Sequence, residues 1–425
     1  MAGTAAVPIV EHVAREARGA RRAMATLDDA AVEAGLNRAV ELLSERRDEI
    51  LSANELDVEA GTATLDEGAL DRLRLDDRRL EAIAAGLRAT AALAPLEREV
   101  RRWTLPNGLE AAERRIPVGV VGANFEARPN VAVDVASQVL KSGNAVVLRT
   151  GSAALGTVTK LVDGVLRPAL ESAGVDGAAV GLVRFPDRAG AEALVSLPAA
   201  IPLVILRGSG ASTAALAALA AANGVRALAH AEGGGVLYAH ASAAPEKVRA
   251  IARASLDRLG VCNRLNLALV DDGVPELAGI VVEICVALGI EVRATERAVA
   301  LAGVLPLDRP RGHEWASEPD RVATITLDLV GGLDEAAAIA NDETSGLAAA
   351  IVAEDERAAA RFLEAYHGTA AVWNATTRFV DGFELLGTPE TGINVDRFPG
   401  PRGPVSYRDL CLRQFRIVGD GTQHR

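Results

Sequence analysis

The sequence predicts an α/β protein of more than one domain, built on parallel β-sheets. Between residues 117 and 229, short apolar runs alternate with helical stretches and are separated by brief loops. Strands that alternate with helices in this way form a parallel sheet with both faces covered. Length is the second observation, because 425 residues are too many for one compact core.

The elements can be placed in chain order from their apolar periodicity. Residues 8–95 have apolar positions at helical spacing among many charged residues, which is typical of surface helices. Asn107-Gly108 between two alternating segments predicts a β-hairpin over 100–116. Such a hairpin serves either as an oligomer contact or as a simple edge ribbon.

The region after the hairpin is expected to contain a series of strands and helices. The predicted strands are 118–122, 145–149, 181–183, 202–206 and 225–229, and the predicted helices are 129–141, 153–173, 189–196 and 211–222. A second α/β stretch follows over 235–373, with a helix predicted over 243–259. The alternating stretch 410–418 predicts a strand that pairs with the hairpin or with another subunit.

Composition excludes several classes of protein. Hydrophobic residues make up 49% and charged residues 24%, as in an ordinary globular protein. The net charge of −12 argues against a nucleic-acid partner. The most apolar stretch, 214–222, is too short to cross a membrane, and residues 1–13 lack the order of a secretory signal. Three cysteines give no disulfide framework, so we expect a cytoplasmic location. No metal site is predicted.

Cys262 is the residue that best indicates a chemistry. It follows Gly260-Val261 and precedes Asn263 just ahead of an apolar run, a pattern that suits a tight turn into a strand. A thiol held towards a cleft, with its pKa lowered by donors or cations, is a nucleophile for carbonyl or acyl carbon. Most free cysteines are only small buried hydrophobes, and on the local pattern alone that alternative stays open.

Two loops at predicted strand ends suit a dinucleotide, because backbone N–H groups at a helix N-terminus bind phosphate. Their residues are Arg149, Thr150, Gly151 and Ser152 in the first loop, and Arg207, Gly208, Ser209 and Gly210 in the second. Arg149 is suited to pair with a 2′-phosphate. The third glycine of the dinucleotide fingerprint is missing, so these glycines could instead only close tight turns.

Further turns carry candidate donors for an oxyanion or for substrate. Asn124, Arg128 and Asn130 lie in one strand-to-helix loop, although Pro129 could simply open a helix there. Arg378 lies in a polar turn after a later strand and is a candidate clamp for carboxylate or phosphate. Asn263, beside the nucleophile, belongs to the same group of candidates.

Taken together, these motifs resemble γ-glutamyl phosphate reductase, also called glutamate-5-semialdehyde dehydrogenase, a family of the aldehyde dehydrogenase superfamily. The matching segments span nearly the whole chain and are 117–122, 125–131 with Asp134, 141–149, 260–263, 373–379 and 419–421. The resemblance implies an aldehyde dehydrogenase-like fold with three parts. These are an NADP-binding domain (1–100 and 117–233), a catalytic domain with Cys262 (234–373), and an oligomerisation hairpin with a C-terminal segment (101–116 and 374–425).

The resemblance also implies NADPH-dependent reduction of an acyl phosphate in proline biosynthesis. The Cys262 thiolate would expel phosphate and form a thioester, and hydride transfer would then give the semialdehyde. Glu232 would be a cofactor contact. The resemblance further implies a homo-oligomer. Because an acyl phosphate is unstable in water, a glutamate kinase-like partner could deliver it, although no residue indicates one.

Several positions depart from the family's pattern. Arg258-Leu259 stands where Arg-Pro is usual, Asn266 replaces a Glu, and Leu347 replaces a His. Segments 230–236 and 400–404 differ as well. We therefore expect the chemistry to be kept, while the acyl phosphate could be a related ω-phosphorylated amino acid.

Glu232 offers an alternative reaction. It precedes two glycines and lies 30 residues before Cys262 (262 − 232), as does the general base of hydrolytic aldehyde dehydrogenases. In that role it would activate water and make the protein an aldehyde-oxidising enzyme. Glu232 could equally be a cap or the cofactor contact. A third hypothesis is a non-catalytic partner of an acyl kinase, which would have no use for Cys262.

Overall fold

The structure is a computed structural model, and it describes residues 3–65, 67–208, 210–230, 233–396 and 400–423. The chain forms two compact units. Unit 1 consists of Met1–Ala229, Thr388–Gly392 and Val405–Arg425, and unit 2 consists of His230–Gly387 and Ile393–Pro404. The range 374–425, which the sequence analysis kept as one segment, is therefore divided between the units.

The secondary structure alternates between helices and strands over most of the chain. The helices are α1 (Gly3–Ala23), α2 (Asp29–Glu45), α3 (Arg47–Gly61), α4 (Glu67–Leu73), α5 (Asp77–Ala91), α6 (Pro129–Lys141), α7 (Leu155–Leu161), α8 (Arg167–Ser172), α9 (Arg188–Leu194), α10 (Gly210–Ala222), α11 (Pro245–Ala254), α12 (Glu276–Ala287), α13 (Leu333–Asp342) and α14 (Glu356–Ala365). The strands are β1 (Glu99–Thr104), β2 (Glu110–Pro117), β3 (Val120–Phe125), β4 (Ala145–Thr150), β5 (Val180–Val183), β6 (Leu203–Arg207), β7 (Arg226–His230), β8 (Gly235–Ala239), β9 (Leu265–Asp271), β10 (Glu291–Ala294), β11 (Leu305–Pro306), β12 (Thr324–Val330), β13 (Ala348–Val352), β14 (Ala370–Trp373), β15 (Gly392–Asn394), β16 (Gly403–Val405) and β17 (Cys411–Val418). Within the described ranges, no helix is long and apolar enough to cross a membrane.

Unit 1 is built on a five-stranded sheet in the order β5-β4-β3-β6-β7. Strand β3 pairs in parallel with β4 and β6, and β4 pairs in parallel with β5. Every residue of β3 and β4 is buried, because helices cover both faces of the sheet. The predicted parallel sheet is confirmed. The chain runs outward from β3 to β5 and then returns past β3 to β6, so the strand order reverses between β3 and β6.

The N-terminal helices of unit 1 pack their apolar faces into the same core as the sheet. In α2 the buried residues Val32, Leu36, Ala39 and Leu43 recur at helical spacing. The carboxylate of Asp28 caps this helix by accepting a hydrogen bond from the N–H of Ala31. The helices predicted over 8–95 are therefore confirmed.

Strands β1, β2 and β17 form an antiparallel ribbon that belongs to unit 1. Its hairpin turns at Gly108, whose φ of +84° is the left-handed conformation that glycine adopts readily. Strand β17 pairs with β2 from Cys411 opposite Pro117 to Val418 opposite Glu110. The hairpin prediction and the pairing of the last strand with it are both confirmed.

Unit 2 is built on a seven-stranded sheet in the order β11-β10-β12-β9-β8-β13-β14. Its recorded strand pairs are all parallel. The helix predicted over 243–259 is α11, which ends earlier, at Ala254. The prediction was too long because turns occupy 255–260, where Gly260 has a φ of +71°. Strands β15 and β16 pair with each other.

Candidate active site

Cys262 lies in the turn that leads into β9, and its side chain is partly buried. It packs against an apolar cluster formed by Leu347, Ala348, Val380 and Ile393. The chain enters this turn through Gly260, in the left-handed conformation. The thiol is thus held beside apolar side chains, at the amino end of a central strand of the sheet.

A run of three glycines holds the main chain of the Cys262 turn. The N–H of Gly234 donates to the carbonyl O of Cys262 at 2.6 Å, and the N–H of Gly235 donates to that of Arg264 at 2.7 Å. A Cβ on Gly233 would lie 2.7 Å from the Cα and the carbonyl O of Cys262. A Cβ on Gly235 would lie 2.8 Å from the carbonyl O of Arg264. Only glycine allows the two segments to approach this closely.

Sequence reasoning missed this role, because it considered 230–236 as a departure from the family's pattern and as the possible place of a general base at Glu232. The signal that could have revealed it is the triplet of consecutive glycines, which lies 27 to 29 residues before the nucleophile (262 − 235 and 262 − 233). A single glycine in a strand indicates close approach of another backbone, and three glycines in succession indicate it more strongly.

Hydrogen bonds of Asn263 and Arg378 fix the other side of the turn. Nδ2 of Asn263 donates to the carbonyl O of Arg378 at 3.2 Å and to that of Val380 at 3.1 Å. Nη1 of Arg378 donates to Oδ1 of Asn263, and its Nε donates to Oδ1 of Asp257 at 2.7 Å. Thr377 adds a further hydrogen bond, since its hydroxyl donates to the carbonyl O of Asn263 at 2.8 Å. The structure thus brings these two predicted residues together, but both side-chain N–H groups of Asn263 are already used.

Glu314 is a carboxylate in this site that the sequence analysis did not single out. Its Oε2 accepts a hydrogen bond from the N–H of Gly233 at 2.7 Å. Asn266 positions the segment that carries Glu314, because it donates to the carbonyl O of His313 at 2.8 Å and accepts from the N–H of Trp315 at 3.0 Å. Glu314 therefore anchors the glycine that lies against Cys262.

Arg264 places a buried cation two residues after Cys262. Its Nη2 donates to the carbonyl O of Thr324 at 2.9 Å, and the side chain is fully buried. Burial lowers the pKa of Arg264 to about 10, against the opposing effect of Glu314, so the guanidinium stays charged at neutral pH. A second charged group that sequence reasoning missed thus supports the turn.

The other two cysteines are poor nucleophiles. Burial raises the pKa of the Cys285 thiol to about 12, with Arg264 acting in the opposite direction. Burial also raises the pKa of Cys411, whose Sγ donates to the carbonyl O of Arg408 at 3.2 Å. Because the thiolate is the reactive form, neither residue is suited to attack a carbonyl carbon at neutral pH.

A separate polar site lies in unit 1, at the carboxyl ends of β3, β4 and β6. Ligands of open α/β sheets bind where the strand order reverses, which here is between β3 and β6. A Cβ on Gly208, just after β6, would lie 3.0 Å from the carboxyl carbon of Glu126, just after β3. The first turn of α10 begins at Gly210, at the same end of the sheet. The predicted loops at 149–152 and 207–210 therefore end at one edge of the sheet.

Arg149 and Asn124 are brought together at this edge, as neighbours on paired strands. Nη1 of Arg149 donates to Oδ1 of Asn124 at 3.0 Å, and Nη2 donates to the carbonyl O of Pro186 and, at 2.8 Å, to that of Asp187. Burial lowers the pKa of Arg149, against the opposing effects of Glu126 and Asp187. Because Nη2 already uses both of its N–H groups, the predicted pairing with a 2′-phosphate would have to use Nε or the second N–H of Nη1.

Unused buried polar atoms at this edge fit a nucleotide cofactor. Among the residues that the structure describes, Oγ1 of Thr150, Nε of Arg149 and Nε of Arg207 are buried and have no hydrogen-bond partner. A Cβ on Gly151 would have no atom within 4 Å, so the loop leaves open space beside its backbone. Hydroxyl, guanidinium and free backbone are the groups that bind ribose and phosphate.

The remaining predicted residues lie as follows. Nδ2 of Asn130 donates to Oδ2 of Asp134 at 3.0 Å, and Arg128 precedes the first turn of α6. Burial raises the pKa of Asp134 to about 6, although Arg207 and the hydrogen bond from Asn130 act to lower it. Ser152 follows β4 in a single helical turn. The predictions for Ser209 and Glu232 concern residues outside those that the structure describes.

Comparison with known proteins identifies the family. No family profile matches the chain. Gamma-glutamyl phosphate reductase of Gluconobacter oxydans is 34% identical over 418 residues, which cover 97% of this chain and 96% of that protein. The crystal structure of gamma-glutamyl phosphate reductase from Thermotoga maritima has a TM-score of 0.90 and 28% identity, over 97% of this chain and 100% of that chain. An engineered glycolyl-CoA reductase with bound NADP⁺ is 15% identical with a TM-score of 0.66, over 96% of each chain, and shares the fold alone. The sequence similarity spans nearly both full chains, so this chain belongs to the γ-glutamyl phosphate reductase family, oxidoreductases with an aldehyde dehydrogenase-like fold.

Proposed function

We propose that the protein reduces γ-glutamyl phosphate, or a related amino-acid acyl phosphate, to the semialdehyde with NADPH and releases phosphate. The observation that carries the proposal is the Cys262 turn, which hydrogen bonds hold from both sides while its thiol remains partly exposed. A nucleophile fixed in this way is pre-positioned for attack on an acyl carbon. Membership of the reductase family supports the choice of acyl phosphate.

The chemistry begins at the sulfur of Cys262. The thiolate attacks the acyl carbon, the bond from that carbon to the phosphate oxygen breaks, and phosphate leaves with the electron pair. A thioester on Cys262 remains. NADPH, when bound, would provide the hydride for reduction of this thioester. The thiohemiacetal on Cys262 would then collapse, releasing the semialdehyde and restoring the thiolate. In this scheme Gly233, Gly234 and Asn263 keep the sulfur in place through every step.

The cofactor is assigned to the polar edge of the unit 1 sheet. The loops at 149–152 and 207–210 would hold the ribose and phosphates, with Thr150 and Gly151 offering a hydroxyl and open backbone. Glu232 as a further cofactor contact stays a prediction, as does the preference for NADPH over NADH. The substrate roles of Asn124, Arg128, Asn130, Asn263 and Arg378 stay predictions as well.

The test is the reverse reaction, with glutamate-5-semialdehyde, NADP⁺ and phosphate, followed by the absorbance of reduced nicotinamide. We expect turnover that requires phosphate and is abolished by Cys262→Ala. Cys411→Ala is the matched control, because it removes another partly buried thiol and should leave the rate unchanged. Turnover independent of phosphate would favour the hydrolytic reaction with Glu232, and no turnover with any semialdehyde would contradict the proposal.

A homo-oligomer is part of the proposal, because the ribbon of β1, β2 and β17 exposes apolar side chains. Phe415 and Ile417 are about half exposed, and Trp103 packs edge-on against Phe415 with ring centroids 6.2 Å apart. Exposed apolar patches of this kind often mark subunit contacts. Sedimentation of the purified protein, with Phe415→Asp and Ile417→Asp as variants, would test this assignment. The glutamate kinase-like partner and the cytoplasmic location stay predictions.

A further inference from the structure

Arg402 and Thr369 form a second polar site in unit 2, which the reaction scheme above leaves unused. Nε and Nη2 of Arg402 are buried, as is Oγ1 of Thr369, and none of the three atoms has a hydrogen-bond partner among the described residues. The guanidinium is fixed, because Nη1 donates to the carbonyl O of His367 at 3.0 Å. Buried N–H groups of a cation are costly to leave without an acceptor, so Nε and Nη2 of this partly buried arginine indicate a missing ligand.

Both residues lie near Gly346. The N–H of Thr369 donates to the carbonyl O of Gly346 at 2.7 Å. A Cβ on Gly346 would lie 3.9 Å from Nη2 of Arg402. The φ of Gly346 is +74°, so a larger residue would be strained there. Gly346 thus accepts from the main chain of Thr369 and lies beside Nη2 of Arg402. The side chain of Thr369 is also close to Arg402 in the fold, because its Cγ2 would lie 3.2 Å from a Cβ on Gly403, the next residue.

The residues on either side of Gly346 lead to the nucleophile. The hydroxyl of Ser345 donates to the carbonyl O of Gly233 at 2.8 Å, and Gly233 lies against Cys262. Leu347 packs in the same apolar cluster as Cys262. Through Gly346, Arg402 and Thr369 are therefore connected to the segment that contacts Gly233 and Cys262.

We propose that Arg402 and Thr369 bind the carboxylate at the end of the substrate remote from the acyl phosphate. Nε and Nη2 of an arginine match the two oxygens of a carboxylate, and the threonine hydroxyl adds a third donor. The inference rests on the proposed function and assigns the residues that recognise the free carboxylate of its amino-acid acyl phosphate. Phosphate offers the same oxygen chemistry, so the experiment must separate the two anions.

The experiment compares wild type with Arg402→Gln in the reverse reaction. We expect the KM for glutamate-5-semialdehyde to rise about 10- to 100-fold, the range for a lost charged hydrogen bond, with a smaller change in kcat. The KM for phosphate, and the kcat/KM for butanal, which has no carboxylate, should stay unchanged. Thr369→Val, which keeps the shape and removes the hydroxyl, should raise the KM for the semialdehyde several-fold and serves as the test if Arg402→Gln does not fold. Arg361→Gln is the matched control, because Arg361 is an exposed arginine of unit 2 paired with Asp334.

The other outcomes overturn the inference. A rise in the KM for phosphate alone would assign the site to phosphate, and unchanged kinetics in both variants would leave it without a substrate role. If the wild type does not turn over semialdehydes, the proposed function fails. Calorimetric titration of the Cys262→Ala protein with L-glutamate then shows whether the site still binds a carboxylate. If glutamate binds and the Arg402→Gln substitution abolishes that binding, the inference stands. If glutamate does not bind, or binds equally well to the Arg402→Gln protein, the inference is refuted.

Discussion

Gly233→Ala tests whether the glycine run positions the nucleophile. The added Cβ would lie 2.7 Å from the Cα and the carbonyl O of Cys262. Non-bonded carbon atoms prefer about 3.5 Å or more, so the two segments must part by about 0.8 Å (3.5 − 2.7). Overpacking of this kind costs about 1–3 kcal/mol of unfolding free energy. A displacement of about 1 Å at a reacting atom lowers the rate about 100-fold.

The assay measures kcat of the phosphate-dependent reverse reaction together with the urea midpoint. We expect kcat to fall about 100-fold, while the protein stays folded at 25 °C. Gly279→Ala is the matched control, because Gly279 lies in α12 and a Cβ there would have no atom within 4 Å. That control should keep full activity and gain up to about 1 kcal/mol from the better helix propensity of alanine. A Gly233→Ala protein with wild-type kcat would refute the reasoning.

The remaining predictions concern three charged groups. Glu314→Gln keeps an acceptor for the N–H of Gly233 but loses the charge, so we expect the free energy of unfolding in urea to fall by about 1 kcal/mol and kcat to fall several-fold. The control is Glu283→Gln, because Glu283 is exposed. Equal stability and equal kcat of the two variants would contradict the prediction. Burial raises the pKa of Asp134 in the folded protein to about 6, from an ordinary value of 3.8. Its destabilising charge is therefore fully present above pH 6 and disappears as pH falls towards 4. Asp134→Asn should therefore be more stable than wild type at pH 8, by at most about 3 kcal/mol at about 1.36 kcal/mol per pKa unit. The difference should vanish near pH 4. A stability difference that does not change with pH would show that the charge of Asp134 is not its cause. Arg149→Met leaves the carbonyls of Pro186 and Asp187 and Oδ1 of Asn124 without their donor, so we expect a loss of about 2–4 kcal/mol and equal weakening of NADPH and NADH binding in fluorescence titrations. A selective loss of NADPH binding would instead show that Arg149 contacts the 2′-phosphate.

The strands of unit 1 could be predicted closely because their signal is local. Runs such as Ala145–Thr150 are apolar throughout, since both faces of the sheet are covered, and short loops separate them from the helices. The hairpin at Asn107-Gly108 was equally local, because its turn type demands a residue that tolerates positive φ. The end of α11 was misplaced because Leu256, Arg258 and Leu259 continue the apolar and helix-favouring pattern after Ala254. The helix stops because Ser255 accepts a hydrogen bond from the N–H of Leu265 in the next strand.

The arrangement of the candidate site could not be predicted, because its contacts join residues distant in sequence. Asn263 was singled out for its place beside Cys262, but its partners lie more than a hundred residues later, at Arg378 and Val380. Asn124 and Arg149 were assigned to different roles, whereas the register of β3 and β4 makes them neighbours. Glu314 carries no local motif, and Arg402 was noted only within segment 400–404, which departs from the family's pattern. Only the fold shows what each residue faces.

The departures from the family's pattern fall on residues that support the thiol rather than on the thiol itself. Asn266 stands where a Glu is usual, and it uses its amide in both senses, donating to the carbonyl O of His313 and accepting from the N–H of Trp315. A glutamate is ionised at neutral pH and can only accept, so it could not make the first of these bonds. The neutral amide thereby holds the segment that carries Glu314, and Glu314 holds Gly233 against Cys262. At this position near the nucleophile, the chain has a neutral amide in place of a charged carboxylate. The buried N–H groups of Arg402 have no acceptor among the described residues. Attack by Cys262 is therefore compatible with the exchange at Asn266.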